Sequence, residues 1–113
     1  MSAMITYANE IKRVRALGID TADIARATGA AKATVTSWLR ATRRPRAEHR
    51  DRLLELVTIA DRLSEIMDDD QIALWLQKPL VALDDERPLD AIADGGYRRV
   101  SRVVAELEND SFA

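Results

Sequence analysis

Residues 47–67, which read AEHRDRLLELVTIADRLSEIM, decide the fold of this chain. Apolar residues recur in this stretch at spacings of three and four, which is the period of one helix face. That face comprises Leu53, Leu56, Val57, Ala60, Leu63 and Met67, and it is widened by Leu54, Ile59 and Ile66. We therefore predict one long helix, the spine that joins an N-terminal and a C-terminal group of shorter helices.

Three shorter helices are predicted before the spine. The apolar spacing gives a first helix over about 7–17, which ends at a Leu-Gly step. A second helix, 21–28, is capped by Asp20 or by the threonine after it, and a glycine stops it. A third helix runs from about 32 to 41, and Pro45 breaks the pattern because proline lacks the backbone donor that a helix needs.

Three further helices are predicted after the spine. Asp68-Asp69-Asp70 ends the spine and caps the next helix. A short helix, 88–93, begins at a proline that suits its first position, and Gly95-Gly96 end it. The last helix begins at Tyr97, and residues 109–113 remain as a tail.

The charge of the chain is divided unevenly along its length. Residues 1–52 hold eleven Lys and Arg against five Asp and Glu, a net of +6, whereas residues 53–113 hold six against fourteen, a net of −8. Unlike halves indicate unlike partners, a polyanion for the first half and something else for the second. The absence of cysteine excludes disulfides and thiolate metal sites, and with no signal peptide or membrane-spanning run in the sequence we expect a cytoplasmic protein.

The second and third predicted helices carry the features of a helix-turn-helix. Ala25 provides a small residue, Gly29 a turn that admits a positive φ, and Val35 with Trp38-Leu39 an apolar clamp. This pattern resembles the Xre/Cro family of phage-repressor-like DNA-binding domains. The resemblance implies two sets of DNA contacts: base edges for Lys32, Ala33 and Ser37, and phosphates for Thr34, Thr36, Arg40, Arg43 and Arg44.

The chemistry of these residues agrees with DNA binding. Lysine can donate to guanine, hydroxyls can bond bases or phosphates, and an arginine row supplies salt-dependent affinity. Ala31 stands where that family commonly has a capping Ser or Thr. The alternative is a plain helical hairpin whose arginines form a solvated face.

Residues 70–113 resemble the toxin-binding domain of antitoxins of the Xre/MbcA/ParS type, which neutralise toxins of the RES class. The matching positions are Ala73, Trp75-Leu76, Pro79, Leu83, Arg87-Pro88-Leu89-Asp90, Ile92, Asp94-Gly95, Tyr97, Arg99-Val100, Val104 and Leu107. The family usually carries a glycine before the Arg-Pro step, where this chain has Asp84-Asp85-Glu86, which leaves the form of that turn open.

The resemblance also implies a partner and a fold. In this family the domain mediates self-association and toxin contact, the toxin degrades NAD, and the antitoxin's last residues enter or approach the toxin's active site. The implied toxin contacts are Gly96, Tyr97, Arg98, Asp110, Ser111, Phe112 and Ala113. The predicted fold is all-α, with a helix-turn-helix and its connecting helix in residues 1–67 and a small helical toxin-binding domain in residues 68–113.

Little in the sequence indicates catalysis. The single histidine, His49, lies at a polar helix start where we expect a surface role, and Asp68-Asp69-Asp70 fits a helix cap better than a cation site. No enzyme activity, cofactor or metal is predicted. Three hypotheses follow: a homodimeric antitoxin that also represses its own operon, a free-standing Xre-family regulator whose second half only dimerises, and an adaptor that no longer binds DNA.

Overall fold

The computed structural model describes residues 3–111, and this part of the chain is helical throughout apart from turns and loops. Its elements, in chain order, are α1 (Ala3–Ala16), α2 (Thr21–Thr28), α3 (Lys32–Leu39), α4 (Ala47–Ser64), α5 (Asp69–Gln77), a 3₁₀ turn (Val81–Leu83), α6 (Pro88–Ala93) and α7 (Tyr97–Ser111). The predicted all-α class is confirmed. None of the helices between residues 3 and 111 is long and apolar enough to cross a membrane.

The α4 helix is the spine that the sequence predicted. It packs against α1, α2, α5, α6 and α7, and its inward side chains, among them Leu53, Leu56, Ile59 and Leu63, are fully buried. The helix ends at Ser64, three residues before the predicted end. The amides of residues 66 and 67 both bond the Leu63 carbonyl at 3.0 Å, which winds the backbone into a turn before α5 begins.

Local rules fixed the start and end of α2. The Asp20 carboxylate accepts a bond from the Asp23 amide at 2.9 Å, and the Asp23 carboxylate accepts one from the Asp20 amide at 3.2 Å. This reciprocal capping box settles the cap at Asp20. Gly29 has a φ of 77°, the left-handed conformation predicted for the stop, and its amide bonds the Ala25 carbonyl.

The α3 helix is shorter than predicted. It ends at Leu39, because Ala41 has a φ of 59° and leaves the helical region. Its start has no side-chain cap at Ala31, as the sequence indicated. The turn after α3 carries the chain to a buried Pro45, where α4 is about to begin.

The loop before α6 is built without the family's glycine. Asp84 and Asp85 both adopt positive φ, 55° and 65°, which Asp tolerates better than most residues. An antiparallel bridge between Leu80 and Glu86 closes the loop, with the Leu80 amide bonding the Glu86 carbonyl at 3.1 Å. Two aspartates therefore supply the left-handed residues of this turn.

The prediction of a tail from residue 109 is wrong as far as residue 111. Asn109, Asp110 and Ser111 continue α7, since no glycine or proline interrupts the helix there. The last two residues of the predicted tail, Phe112 and Ala113, lie outside the described residues.

One hydrophobic core runs through both halves of the chain. The α6 helix packs against α2 as well as against α4, α5 and α7. The buried cluster combines residues from before and after position 67, including Ile24, Leu53, Leu89 and Ile92. Polar contacts cross the same boundary: Arg26 of α2 pairs with Asp90 of α6.

Candidate functional site

The α3 helix presents one outward face made of predicted DNA contacts. Val35 and Trp38 are each 1% exposed and point into the core. The opposite face, at spacings of three, four and five residues, carries Lys32, Ala33, Thr36, Ser37 and Arg40. The structure thus brings together five of the eight residues predicted to contact DNA.

The two hydroxyls on this face are engaged with their own helix. Thr36 Oγ1 donates to the Lys32 carbonyl and Ser37 Oγ donates to the Ala33 carbonyl, each at 3.1 Å. Their oxygens can still accept a hydrogen bond. In this rotamer Ser37 suits the amino groups of adenine or cytosine, and it would have to rotate to donate to guanine or to a phosphate.

The other three predicted DNA contacts line a cationic cavity beside α3. Thr34, Arg43 and Arg44 border a space of about 320 Å³, together with Arg46 and His49. The cavity wall is completed by the turn Gly29, Ala30 and Ala31 and by Trp38.

The arginines around this cavity lack acidic partners. Within residues 7–110, whose side chains the structure describes, ion pairs neutralise Arg13, Arg26 and Arg62, but none involves Arg43 or Arg44. The same holds for Arg40 and Arg46. Uncompensated guanidinium groups around a concave site attract phosphate, which they bind through forked N–H donors.

Two residues of the cavity were not assigned to it from the sequence. Arg46 belongs to the run Arg43-Arg44-Pro45-Arg46, and the clustering of three arginines around one proline is a sequence signal that could have placed it in the cationic cavity. The expected surface role of His49 is wrong in detail, because its ring is half-buried beside Trp38, with the ring centroids 5.9 Å apart. His49 Nδ1 lies 2.7 Å from the Thr28 carbonyl and donates to it, which ties the start of α4 to the end of α2.

The second candidate surface lies on α7. A structural constraint accounts for the glycine at position 96: a Cβ there would lie 2.9 Å from the Ala91 carbonyl oxygen. Tyr97 is half-buried and packs against the core. Arg98 and Asp110 are exposed but stand twelve residues apart, so the helix separates them by roughly 18 Å along its axis.

The charges on α7 oppose the helix dipole. The first turn contains Arg98 and no acid, and the last turn contains Asp110 and no base. A cation at the N-terminus and an anion at the C-terminus each cost about 0.3–1 kcal/mol. In the described part of the chain neither Arg98 nor Asp110 has an ion-pair partner that would offset this cost.

The C-terminal end of α7 is held to the spine. Arg62 of α4 donates to Glu108 through Nη2 at 2.6 Å and through Nε at 3.1 Å, and its Nη1 bonds Ser101 Oγ at 2.7 Å. These bonds hold the pKa of Glu108 below its ordinary value and raise the pKa of Arg62. The pairing spans 46 residues and follows no local pattern, so it could not be predicted from the sequence.

The described residues hold no group of three or more His, Cys, Asp or Glu side chains placed to bind a metal ion. The Asp68-Asp69-Asp70 run begins α5, where the Gln71 side chain accepts a bond from the Asp68 amide at 3.3 Å. This geometry belongs to a helix start, the role predicted for that run.

Comparison with known families assigns the second half of the chain. Residues 62–109 match the family model described as the antitoxin Xre/MbcA/ParS C-terminal toxin-binding domain. The match covers the end of α4, all of α5 and α6, and α7 as far as residue 109.

Comparison with individual proteins covers nearly the whole chain. It is 27% identical over 99 residues to the mycobacterial cidal antitoxin MbcA of Mycobacterium tuberculosis (strain ATCC 25618 / H37Rv), covering 88% of each protein. MbcA of Mycobacterium bovis matches with the same identity and coverage. In the crystal structure of the M. tuberculosis MbcT–MbcA toxin–antitoxin complex, one chain superposes with a TM-score of 0.81 and 26% identity, over 94% of this chain and 96% of that one.

Proposed function

We propose that the chain is an antitoxin of the Xre/MbcA/ParS type, that it blocks the active site of a RES-type, NAD-degrading toxin, and that it represses its own operon by binding DNA. It acts in the cytoplasm as a binding protein, without catalysis or cofactor. A toxin partner is supported by the matching toxin-binding domain and by the relative that forms a complex with MbcT. The RES class and its NAD chemistry rest on the family resemblance.

The observation that carries the toxin proposal is the charge pattern of α7. Arg98 and Asp110 sit where each destabilises the helix, and neither is paired within the described residues. Residues that violate a local stability rule without compensation are the ones expected to serve a partner. Meanwhile Arg62 holds Glu108, so α7 delivers its last turn from a fixed position.

The mode of inhibition follows from the chemistry of the chain end. Asp110 brings a carboxylate to the end of α7, and Phe112 stands two residues further on. An acidic end with an aromatic ring can compete for a pocket built for an anionic ligand with rings. We therefore assign residues 110–113 to the toxin's active-site cleft, with Gly96, Tyr97 and Arg98 as further contacts.

The test mixes the purified chain with the toxin encoded beside its gene and measures complex formation and NAD hydrolysis. We expect the wild type to form a stable complex and restore NAD, deletion of 109–113 to lose inhibition, and Arg98→Glu to weaken binding about tenfold, as loss of one charged contact does. Lys12→Glu, at an exposed position of α1, is the matched control and should leave toxin binding unchanged. Full inhibition by the chain that lacks residues 109–113 would contradict the tail assignment. If no complex forms at all, the hypothesis of a free-standing transcription regulator would be favoured instead.

DNA binding is supported by the unpaired arginines beside α3. The cavity bordered by Arg43, Arg44 and Arg46 adjoins the outward face of α3, so phosphate and base contacts would fall on one surface. Two such surfaces reading a palindromic operator require a homodimer.

The DNA test changes Arg43 and Arg44 together to Glu and measures affinity for the promoter fragment at several salt concentrations. Losing two phosphate contacts should lower affinity and reduce the slope of log K against log salt by about two. Arg98→Glu should leave both unchanged, and the Arg43/Arg44 variant should still inhibit the toxin. An unchanged salt slope would remove these arginines from the DNA interface.

A further inference from the structure

The outer face of α5 is apolar and uncovered. Leu74 is 71% exposed, an unusual fraction for a leucine within a folded helix. Beside it, Met67, Gln71, Trp75 and Lys78 line a shallow groove of about 300 Å³ together with Leu74. The residues of this α5 face are distinct from those that border the cavity beside α3.

Two rows of side chains form the α5 face. Asp70, Leu74 and Lys78 recur every four residues and make a ridge, and all three are exposed. Met67, Gln71 and Trp75 recur in the same way and make the adjacent row of the groove. Ridges of this kind pack into the grooves of a second helix.

The ridge is complementary to itself when reversed. Asp70 lies four residues before Leu74 and Lys78 four residues after it, so an antiparallel copy places Asp70 opposite Lys78 twice, with Leu74 meeting Leu74 at the axis. Neither Asp70 nor Lys78 has an ion-pair partner within residues 7–110. The antiparallel arrangement also aligns the two helix dipoles favourably.

We propose that the α5 face is the homodimer surface, which pairs with α5 of a second copy about a two-fold axis at Leu74. The inference deepens the proposed function, because it names the surface that supplies the repressor dimer. Val81, which follows α5 in the chain and is 87% exposed, is a further uncovered apolar side chain near the end of this helix in sequence.

The contact is small, and its strength follows from its size. Nine helical residues span only about 14 Å, so two such helices bury less surface than the roughly 800 Å² per partner of a standard interface. We therefore expect self-association that depends on concentration and is strengthened when both copies bind one operator.

The first experiment uses the absence of cysteine from the chain. Leu74→Cys places a single thiol at the proposed axis, where two copies can form a disulfide if their Cα atoms approach within about 7 Å. Leu54→Cys, at a leucine on α4 that is 41% exposed, is the control. Under mild oxidation L74C should form a covalent dimer where L54C stays monomeric; equal cross-linking of the two, or no cross-linking of L74C, would overturn the proposal.

The second experiment tests the charge pairing by complementation. Lys78→Glu and Asp70→Lys should each weaken self-association roughly tenfold, because each homodimer then contains two like-charge contacts. Mixed together, the two variants should form a heterodimer of wild-type affinity, since both contacts become attractive again. Sedimentation equilibrium measures all three, and failure of the mixture to associate would overturn the pairing.

Neither experiment needs toxin or DNA, so its outcome is independent of the tests of the proposed function. A chain that binds toxin but remains monomeric at all concentrations would retain the antitoxin assignment and refute the α5 dimer. The reaction of L74C with a thiol reagent gives a further test. If toxin slows this reaction but a high concentration of L74C itself does not, the α5 face contacts the toxin and the proposed dimer is refuted.

Discussion

Ala41 holds a backbone conformation that its side chain disfavours. Its φ of 59° lies in the left-handed region, where Cβ crowds the next carbonyl oxygen at a cost of roughly 1–2 kcal/mol. The conformation persists because the amides of Ala41 and Thr42 bond the carbonyls of Trp38 and Ser37, each at 3.0 Å, and so close the end of α3. The strained residue lies two positions before the arginine run 43–46 of the proposed DNA surface.

Ala41→Gly should therefore stabilise the protein. Glycine adopts this φ without the Cβ penalty, although it also gives the unfolded chain more freedom, so we expect a net gain of about 0.5–1 kcal/mol. Urea unfolding of the wild type, Ala41→Gly and Ala41→Val measures it, with the valine variant expected to lose stability. A lower unfolding free energy for the glycine variant would contradict the account of strain.

The conformation and contacts of a single residue can be predicted from the sequence when its partners are near in the chain. The sequence predicts Gly29 as the stop and Asp20 as one of two candidate caps, because a cap and a left-handed stop involve neighbours within four residues. The predicted α3 extends to Ala41, because nothing in the sequence marks the left-handed conformation of that alanine. His49 was placed on the surface because nothing in its flanks indicates the Thr28 carbonyl, 21 residues away.

At the scale of elements, α7 likewise has one property that depends on near neighbours in sequence and one that depends on a distant contact. Its buried face was predicted from the spacing of Val100 and Val104, which are both fully buried. Its extent was not, because the last turns depend on Arg62 of α4, which holds Glu108 through two bonds. A tertiary contact of this kind extends a helix beyond the point at which its own sequence would let it fray.

The Arg62–Glu108 pair should make the end of α7 sensitive to acid. Because folding lowers the pKa of Glu108, its contribution to stability is complete above the ordinary glutamate pKa of about 4.3 and is lost as pH falls below it, through the lower folded pKa. The protection factors of amides 105–110, which are corrected for the intrinsic pH dependence of exchange, should therefore fall in this window. Glu108→Gln should exchange faster at neutral pH and show no such step; a step that persists in this variant would exclude Glu108 as its cause.

At the scale of the whole molecule, the two candidate surfaces rest on one core. The α2 helix of the first half of the chain packs against α6 of the second half. Apolar periodicity identifies much of the buried core, although Leu54 of the predicted α4 face is 41% exposed, and it does not indicate that α2 and α6 meet. That contact joins Ile24 to a region some 65 residues later, a separation over which a helical pattern carries no information.

Residues 1–67 alone should consequently fail to fold. Without α6 they lose the cover of Leu89 and Ile92, and burial of each such side chain contributes roughly 1.5–3 kcal/mol, against a total stability of only about 5–15 kcal/mol. Circular dichroism should show little helix in the 1–67 fragment and no cooperative melting, whereas the 1–108 chain should melt cooperatively. A cooperative transition in 1–67 would show that the first half is an independent domain.

The ion pairs at the α2–α6 contact have a consequence for regulation. Asp90 accepts from Arg26 of α2 and, at 2.9 Å, from Arg87 at the start of α6, so one carboxylate joins the two halves. If the chain binds toxin and operator as proposed, a toxin that tightens α6 would also steady α2, the helix that precedes α3. Thermodynamic linkage would make this coupling reciprocal, so the factor by which bound toxin raises operator affinity would equal the factor by which bound operator raises toxin affinity. The promoter would then report the ratio of toxin to antitoxin rather than the amount of either.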